Sequence, residues 1–299
     1  APLRPEREAG NLTIDLVANK VNNRPRGIVP EGAEHLTAFI DVQATILYWV
    51  VVAWSRNFTG WVVNYGTYPD QKRAIFTLGD ARNTLQKAHP GLTREAAIYA
   101  GLDRLVDQLA GREYKRADGG ILRLDRLPID AGFETKAVEL LCRQSKHATI
   151  LIPSFGKSIG AKASPMALWP GRDRTSRRAG WHWMIDRGKT GLRHLLIDTN
   201  HWKSFIREGF CAAHAAPGCI SLFGQDPREH ELFAVHATAE YSKPVMAMGR
   251  TVHEWEIKPG NPDNHWFDCL VGNACAASVI GCTTHGEADT RMAERRRVR

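Results

Sequence analysis

Long hydrophobic runs are missing from this 299-residue sequence. The longest apolar stretch, Ile46 to Trp54, is nine residues, whereas a helix needs about 20 to cross a bilayer. No transmembrane helix is expected. The first ten residues, APLRPEREAG, are charged and have no apolar h-region, so they do not read as a secretory signal, and a cytoplasmic location is expected. Cysteine is scarce: six residues, scattered, with no CxxC pair. That excludes a disulfide scaffold and argues against a structural zinc site, leaving free thiols in a reducing compartment. The two Asn-x-Thr triplets, at Asn11 and Asn57, are then chance matches to the glycosylation pattern. A phosphate-binding loop is lacking too. Phe155-Gly156-Lys157-Ser158 mimics its end, but the first glycine it requires falls on Leu151.

What is present is the composition of a globular protein. It is 43% hydrophobic and 24% charged, with 40 basic residues against 32 acidic, a net charge of +8. The length allows one large domain or two ordinary ones. The positive balance favours polyanions without specifying one. Residues 1–34 are polar, with Pro and Gly at both ends, and read as a linker trailing from something upstream; the initial Ala suits a processed or truncated product. From His35 come three apolar, aromatic and β-branched runs, HLTAFIDVQ, ILYWVVVAWS and GWVVNYGTY, with short breaks between them. Such runs predict an antiparallel three-stranded meander. The second is apolar on both faces and should be covered on both.

Residues 70–120 read as a helical insertion, its main helix capped by Thr93 and running to about Leu109. A strand within 121–132, a helix over 134–144 and a strand over 148–156 make a parallel βαβ unit. HLLIDT reads as another strand, Trp202 to Gly209 as a short helix, HELFAVHATAEY and RTVHEWEIK as further strands, and Asp263 to Gly281 as the last helix. The tail from Thr283 ends in RRRVR and reads as a basic, unstructured extension. The expected domain spans 35–282. It is an α/β mixed sheet, an antiparallel meander plus parallel strands flanked by helices. That is the chain order of a ribonuclease H-like fold, although other mixed sheets share it.

The chemistry rests on acids set within apolar segments. Asp41 interrupts the first strand run, and a buried carboxylate must be hydrogen-bonded, ion-paired or kept for a cation. Asp130 closes the fourth long run just before a Gly turn and a helix, where open α/β sheets bind ligands; a helix cap is its alternative role. Asp268 lies three residues after His265 on the last helix, so both face one side and make a plausible metal-ligand pair. Asp263, after Pro262, suits a helix cap instead, and so does Asp198. Glu240, four residues after His236, is a further candidate for the rim of the site. Carboxylates that converge cannot all stay ionised without compensation. Mg²⁺ or Mn²⁺ supplies it, and two such ions about 3.5–4 Å apart can activate water against a phosphodiester.

At these residues the sequence resembles the nuclease region of lambda-type phage terminase large subunits. The markers are Asp-Val-Gln after the first strand, Asp-x-Gly with a following Thr at 130–135, and the closing Asn-His-Trp-x-Asp-Cys at 264–269. The resemblance implies a metal-dependent endonuclease that cuts double-stranded DNA during packaging. Small-subunit and portal partners would follow, with Asp41, Asp130 and Asp268 as catalytic metal ligands. His265 sits where many terminases carry an acid, as a fourth candidate ligand. The packaging ATPase of a complete terminase is not in this sequence, and residues 1–34 resemble the linker that would follow it. Residues 172–203 carry eight basic residues against three acidic. Arg172, Arg174, Arg177, Arg178 and Lys189, interleaved with tryptophans, are candidate phosphate contacts; a solvated loop with core aromatics is the alternative. Two rival functions remain at this level: a non-catalytic module that docks on the portal or partner subunits, and another ribonuclease H-like enzyme such as a resolvase or transposase.

Overall fold

The fold is taken from a computed structural model that describes residues 12–169, 178–188, 190–260 and 262–284. In chain order the elements are α1 (Ile14–Ala18), β1 (His35–Val42), β2 (Leu47–Trp54), β3 (Gly60–Tyr68), α2 (Leu85–Ala88), α3 (Arg94–Ala110), β4 (Tyr114–Lys115), β5 (Ile121–Leu122), β6 (Leu127–Asp130), α4 (Thr135–Gln144), β7 (Leu151–Lys157), β8 (Arg178–Gly180), β9 (Trp183–Arg187), β10 (Arg193–Asp198), α5 (Thr199–Cys211), β11 (Ile220–Leu222), α6 (Glu231–Ala237), β12 (Glu240–Ala247), β13 (Arg250–Ile257) and α7 (His265–Ile280).

The large sheet has the order β11-β3-β2-β1-β6-β7-β10-β9-β8. β1, β2 and β3 pair antiparallel, and β6, β7 and β10 then add in parallel beside β1. An antiparallel meander continued by parallel strands on its first member is the ribonuclease H-like arrangement. The strict alternation of β2 shows why both faces must be covered. Tyr48, Val50, Val52 and Trp54 enter one core with α5, α6 and α7, while Leu47, Val51 and Ala53 enter a second with α3 and α4.

α7 is buried along almost its whole length, as an all-round apolar helix must be. It approaches β1 so closely that a Cβ on Gly272 would stand 1.9 Å from the Phe39 ring. Asn273, fully buried beside it, ties the helix to the sheet. Its amide donates to the Val50 carbonyl at 3.1 Å and its oxygen accepts from the Thr37 hydroxyl at 2.7 Å. Thr37 Oγ1 in turn accepts from Trp54 Nε1 at 2.8 Å.

One expectation needs correction, and two segments gain a place in the packing. Residues 12–34, expected as a linker, pack on the domain. Val17, Val29 and Ala33 are wholly buried, α1 packs on α6, and Val21 and Val29 form bridges to Leu222 and Arg116. Within the 70–120 segment, read as a helical insertion, Ile98, Leu102, Leu105 and Val106 of α3 share a core with β1 and β2. HELFAVHATAEY is not a strand throughout; it holds α6, with Phe233, Ala234, His236 and Ala237 buried at helical spacing, before β12 begins. No helix among the described residues is long and apolar enough to cross a membrane.

His236 on α6 gives a stability prediction. Its ring is 1% exposed, and its Nδ1 accepts from Trp266 N at 3.4 Å. Burial, aided by the nearby His265, lowers its pKa to about 3. The unfolded chain therefore binds the proton more tightly. The histidine's stabilising share is complete above about pH 6.5 and is lost as pH falls toward its folded value. Lowering the pH from 7.5 to 5 should cost about 2 kcal/mol through this residue. His236→Gln should flatten that slope in urea midpoints measured across the same range; an unchanged slope contradicts the assignment.

Candidate metal centre

The site sits at the carboxyl ends of β1 and β6, beneath the start of α7. Alternation fixes which face receives Asp41. Thr37 and Phe39 point to the α7 side, so Asp41 does too, and a one-residue slip would turn it to the other core. Parallel pairing sets Ile40 opposite Ile129. Asp41 and Asp130 are therefore neighbours on adjacent strands, whose spacing is about 4.8 Å. Asp268, in the first turn of α7, completes the group.

The electrostatics record the convergence. Asp130 is pushed up to about 7, first by burial and then by the charges of Asp41 and Asp268, against the Gly132 and Ala131 backbone amides that lower it. Asp268 is pushed up to about 6 by desolvation, with Lys203 opposing and Asp41 and Glu240 adding to the rise. Its side chain is still 36% accessible, so solvent screens part of that repulsion. Cys269, wholly buried behind them, is held well above the usual thiol range by burial and by the same three aspartates.

Each acid has its own partners. Asp41, 5% exposed, accepts from Gln43 Nε2 at 2.9 Å, and His265 Nδ1 lies 2.9 Å from the same oxygen. Tyr48, opposite Asp41 in the ladder, stacks on the His265 ring at 4.4 Å and fixes its tilt. Burial opposes protonation of His265, but the Asp41 bond and the charges of Asp41, Asp263 and Asp268 outweigh it and raise its pKa. Asp130 Oδ1 accepts from Gly132 N at 3.3 Å. Asp268 is engaged by Lys203 and Asn264.

His265 and Asp268 thus share a helix face but turn to different neighbours. Asp263 is not the cap of α7: Asn264 holds that position, while Asp263 accepts from Leu78 N at 2.6 Å. Asp130 caps nothing either, since Glu134 precedes α4. Asp198 does cap α5, through His201 N, and also holds His182 at 2.7 Å. Arg172, Arg174, Arg177 and Lys189 lie outside the described residues; the Arg178 backbone pairs with Ile185. Trp183 and Trp202 are core residues, and Trp181 is 43% exposed.

Among the described residues no three His, Cys, Asp or Glu side chains close on a single ion-holding point. The arrangement is open, with the acids drawn toward their protein partners. It nevertheless suits a hard divalent cation. Oxygen donors dominate, and Asp41, Asp130, Asp268, Glu240 and Asp263 are faced by one lysine and one histidine. Sequence reasoning missed Lys203 and Tyr48 as members, and Asn264 was visible only as part of Asn-His-Trp-x-Asp-Cys. Lys203 comes from α5, far away in sequence, and carries no local signal; Gln43 was visible only as part of Asp-Val-Gln.

The sheet order is that of a ribonuclease H-like fold. The chain belongs to the family of the terminase large subunit gpA, endonuclease domain, whose model matches residues 2–289, and its activity class is that of an endonuclease. Comparison with curated proteins returns no match. Among solved structures, the chain is similar to the nuclease domain of the large terminase subunit gp2 of bacterial virus Sf6, at 12% identity and a TM-score of 0.43. It is also similar to a point mutant of that domain with manganese, at 10% identity and a TM-score of 0.44. Each alignment covers 89% of this chain and 98% of the other.

Proposed function

We propose that this domain hydrolyses phosphodiesters of double-stranded DNA during phage genome packaging, with Asp41, Asp130 and Asp268 holding Mg²⁺ or Mn²⁺ as a pair of ions. The observation that carries the reading is the placement of Asp41 and Asp130 side by side at the ends of β1 and β6 with Asp268 in the first turn of α7, where burial and the charge of Asp41 raise both Asp130 and Asp268. Carboxylates that raise one another's proton affinity are a poor ground state for a protein alone and a good one for a divalent cation. What such ions supply when bound is activation of a water and stabilisation of the leaving oxygen.

The chain's own residues do the rest. Asp41 forms the floor of the site, and Asp130 and Asp268 form its more open side. His265, braced by Tyr48, orients the Asp41 carboxylate, and Gln43 holds the same oxygen. His265 acts here as an orienting residue on Asp41 rather than as the fourth ligand. The basic residues between Arg172 and Lys189 fit contacts to phosphates, and the family setting adds small-subunit and portal partners.

The test is a plasmid-nicking assay with Mn²⁺ or Mg²⁺. Nicking that requires the ion and stops with excess EDTA is the expected result. Cleavage that persists in EDTA contradicts the metal-dependent reading, and absence of cleavage under every divalent ion favours a docking module.

A further inference from the structure

Glu240 opens β12, is 8% exposed and has no part in the mechanism above. Its Oε1 accepts from two donors, Lys203 Nζ and Asn264 Nδ2, the latter at 2.8 Å. Each donor also reaches Asp268. Lys203 Nζ stands 3.3 Å from Oδ1, and Asn264 Nδ2 stands 3.0 Å from Oδ2. The four side chains close a ring in which both oxygens of Asp268 are held and Glu240 takes the second bond of each donor. They come from β12, α5, the residue before α7 and the first turn of α7.

The lysine is committed to this ring. Its side chain is 12% accessible, and its ammonium lies 5.6 Å over the Phe267 ring. A buried ammonium needs a carboxylate partner. With Asp268 as its sole partner it would neutralise that acid and compete with a divalent cation for it. Glu240 stands closer to the ammonium than Asp268 does, and the two carboxylates share it.

We propose that Glu240 is a positioning residue of the metal centre: by holding Lys203 and Asn264 jointly with Asp268, it fixes the plane of the Asp268 carboxylate and shares the ammonium's charge with it. This inference rests on reading Asp268 as a metal ligand. Glu240 acts through its two donors, both of which its Oε1 holds.

The test is calorimetric Ca²⁺ binding to the full chain, with circular dichroism as the folding control. In E240Q the whole charge of Lys203 falls on Asp268, and the Kd should rise about tenfold, the low end for a residue that supports a ligand. K203M should bind at least as tightly as wild type. The double variant E240Q/K203M should stay within about threefold of wild type, and E240D, which keeps the charge, should do the same. The comparison of K203M with the double variant stands even if E240Q does not fold, since the double variant removes both charges together and circular dichroism checks the fold of K203M.

A double variant as weak as E240Q would make Glu240 a ligand and overturn the proposal. E240Q that binds like wild type, with only its melting temperature changed, would make the ring purely structural and also overturn it. Failure of the metal site itself looks different: wild type then binds no ion, or binding survives Asp41→Asn.

Discussion

Asp41→Asn should lower the DNA-cleavage rate by at least about a thousandfold, roughly 4 kcal/mol in the barrier. The substitution removes the floor carboxylate of the site and changes little else. Asparagine is nearly isosteric, and its amide can still meet Gln43 and His265, which hold Asp41 now. It also removes one of the charges that raise Asp130 and Asp268, so the fold should be unharmed or slightly firmer. Circular dichroism and a DNA-binding titration should match wild type while plasmid nicking with Mn²⁺ disappears. Nicking at the wild-type rate would remove Asp41 from the chemistry, and loss of both binding and fold would make it a structural residue.

The second large effect concerns the helix that carries Asp268 and His265. Asn273→Leu should destabilise the domain by about 3 kcal/mol, read from the shift in urea midpoint. The leucine would take the amide donor from the Val50 carbonyl and the short-range acceptor from the Thr37 hydroxyl, in a site with no access to water. An unmade hydrogen bond there costs about 1–3 kcal/mol for each group left behind. Gly272→Val, next to it, should cost a similar amount by overpacking, because the Phe39 ring has no room for a side chain. Both variants loosen α7 from β1, so both should weaken divalent-ion binding as well. A change below about 0.5 kcal/mol in either would mean that α7 is not clamped as described.

Much of this centre was legible in the sequence because its acids break patterns. Asp41 stands in an otherwise apolar strand, Asp130 ends one, and Asp268 lies on a helix too apolar to be anything but buried. The meander and the βαβ unit were legible for the same reason, since their residues repeat with the period of the element they form. α6 was misread because seven residues give barely two turns, and a short run apolar on nearly every side fits strand and helix alike. The packing of residues 12–34 was hidden by their polarity: only a few apolar side chains, Val17 and Val29 among them, anchor a segment that composition alone marks as a linker.

The ring around Asp268 was only partly legible in sequence: Glu240 stood as a rim candidate and Asn264 within a motif, but nothing tied either to Lys203. Lys203 and Glu240 are 37 residues apart and belong to different elements. Each looks locally like a surface charge, and only the tertiary fold turns them into a buried pair. The expected partnership of His265 with Asp268 followed helical spacing correctly, but spacing cannot say which neighbour each side chain turns toward. The strand ladder decides that, by setting Asp41 and Tyr48 beneath His265.

The most direct test of the central claim is a crystal of the chain soaked in Mn²⁺, with anomalous scattering recorded near the manganese edge. The account predicts density between the carboxylates of Asp41, Asp130 and Asp268, as two peaks about 3.5–4 Å apart when both positions fill. Manganese found only elsewhere on the molecule, with these three side chains unchanged and empty between them, would contradict it.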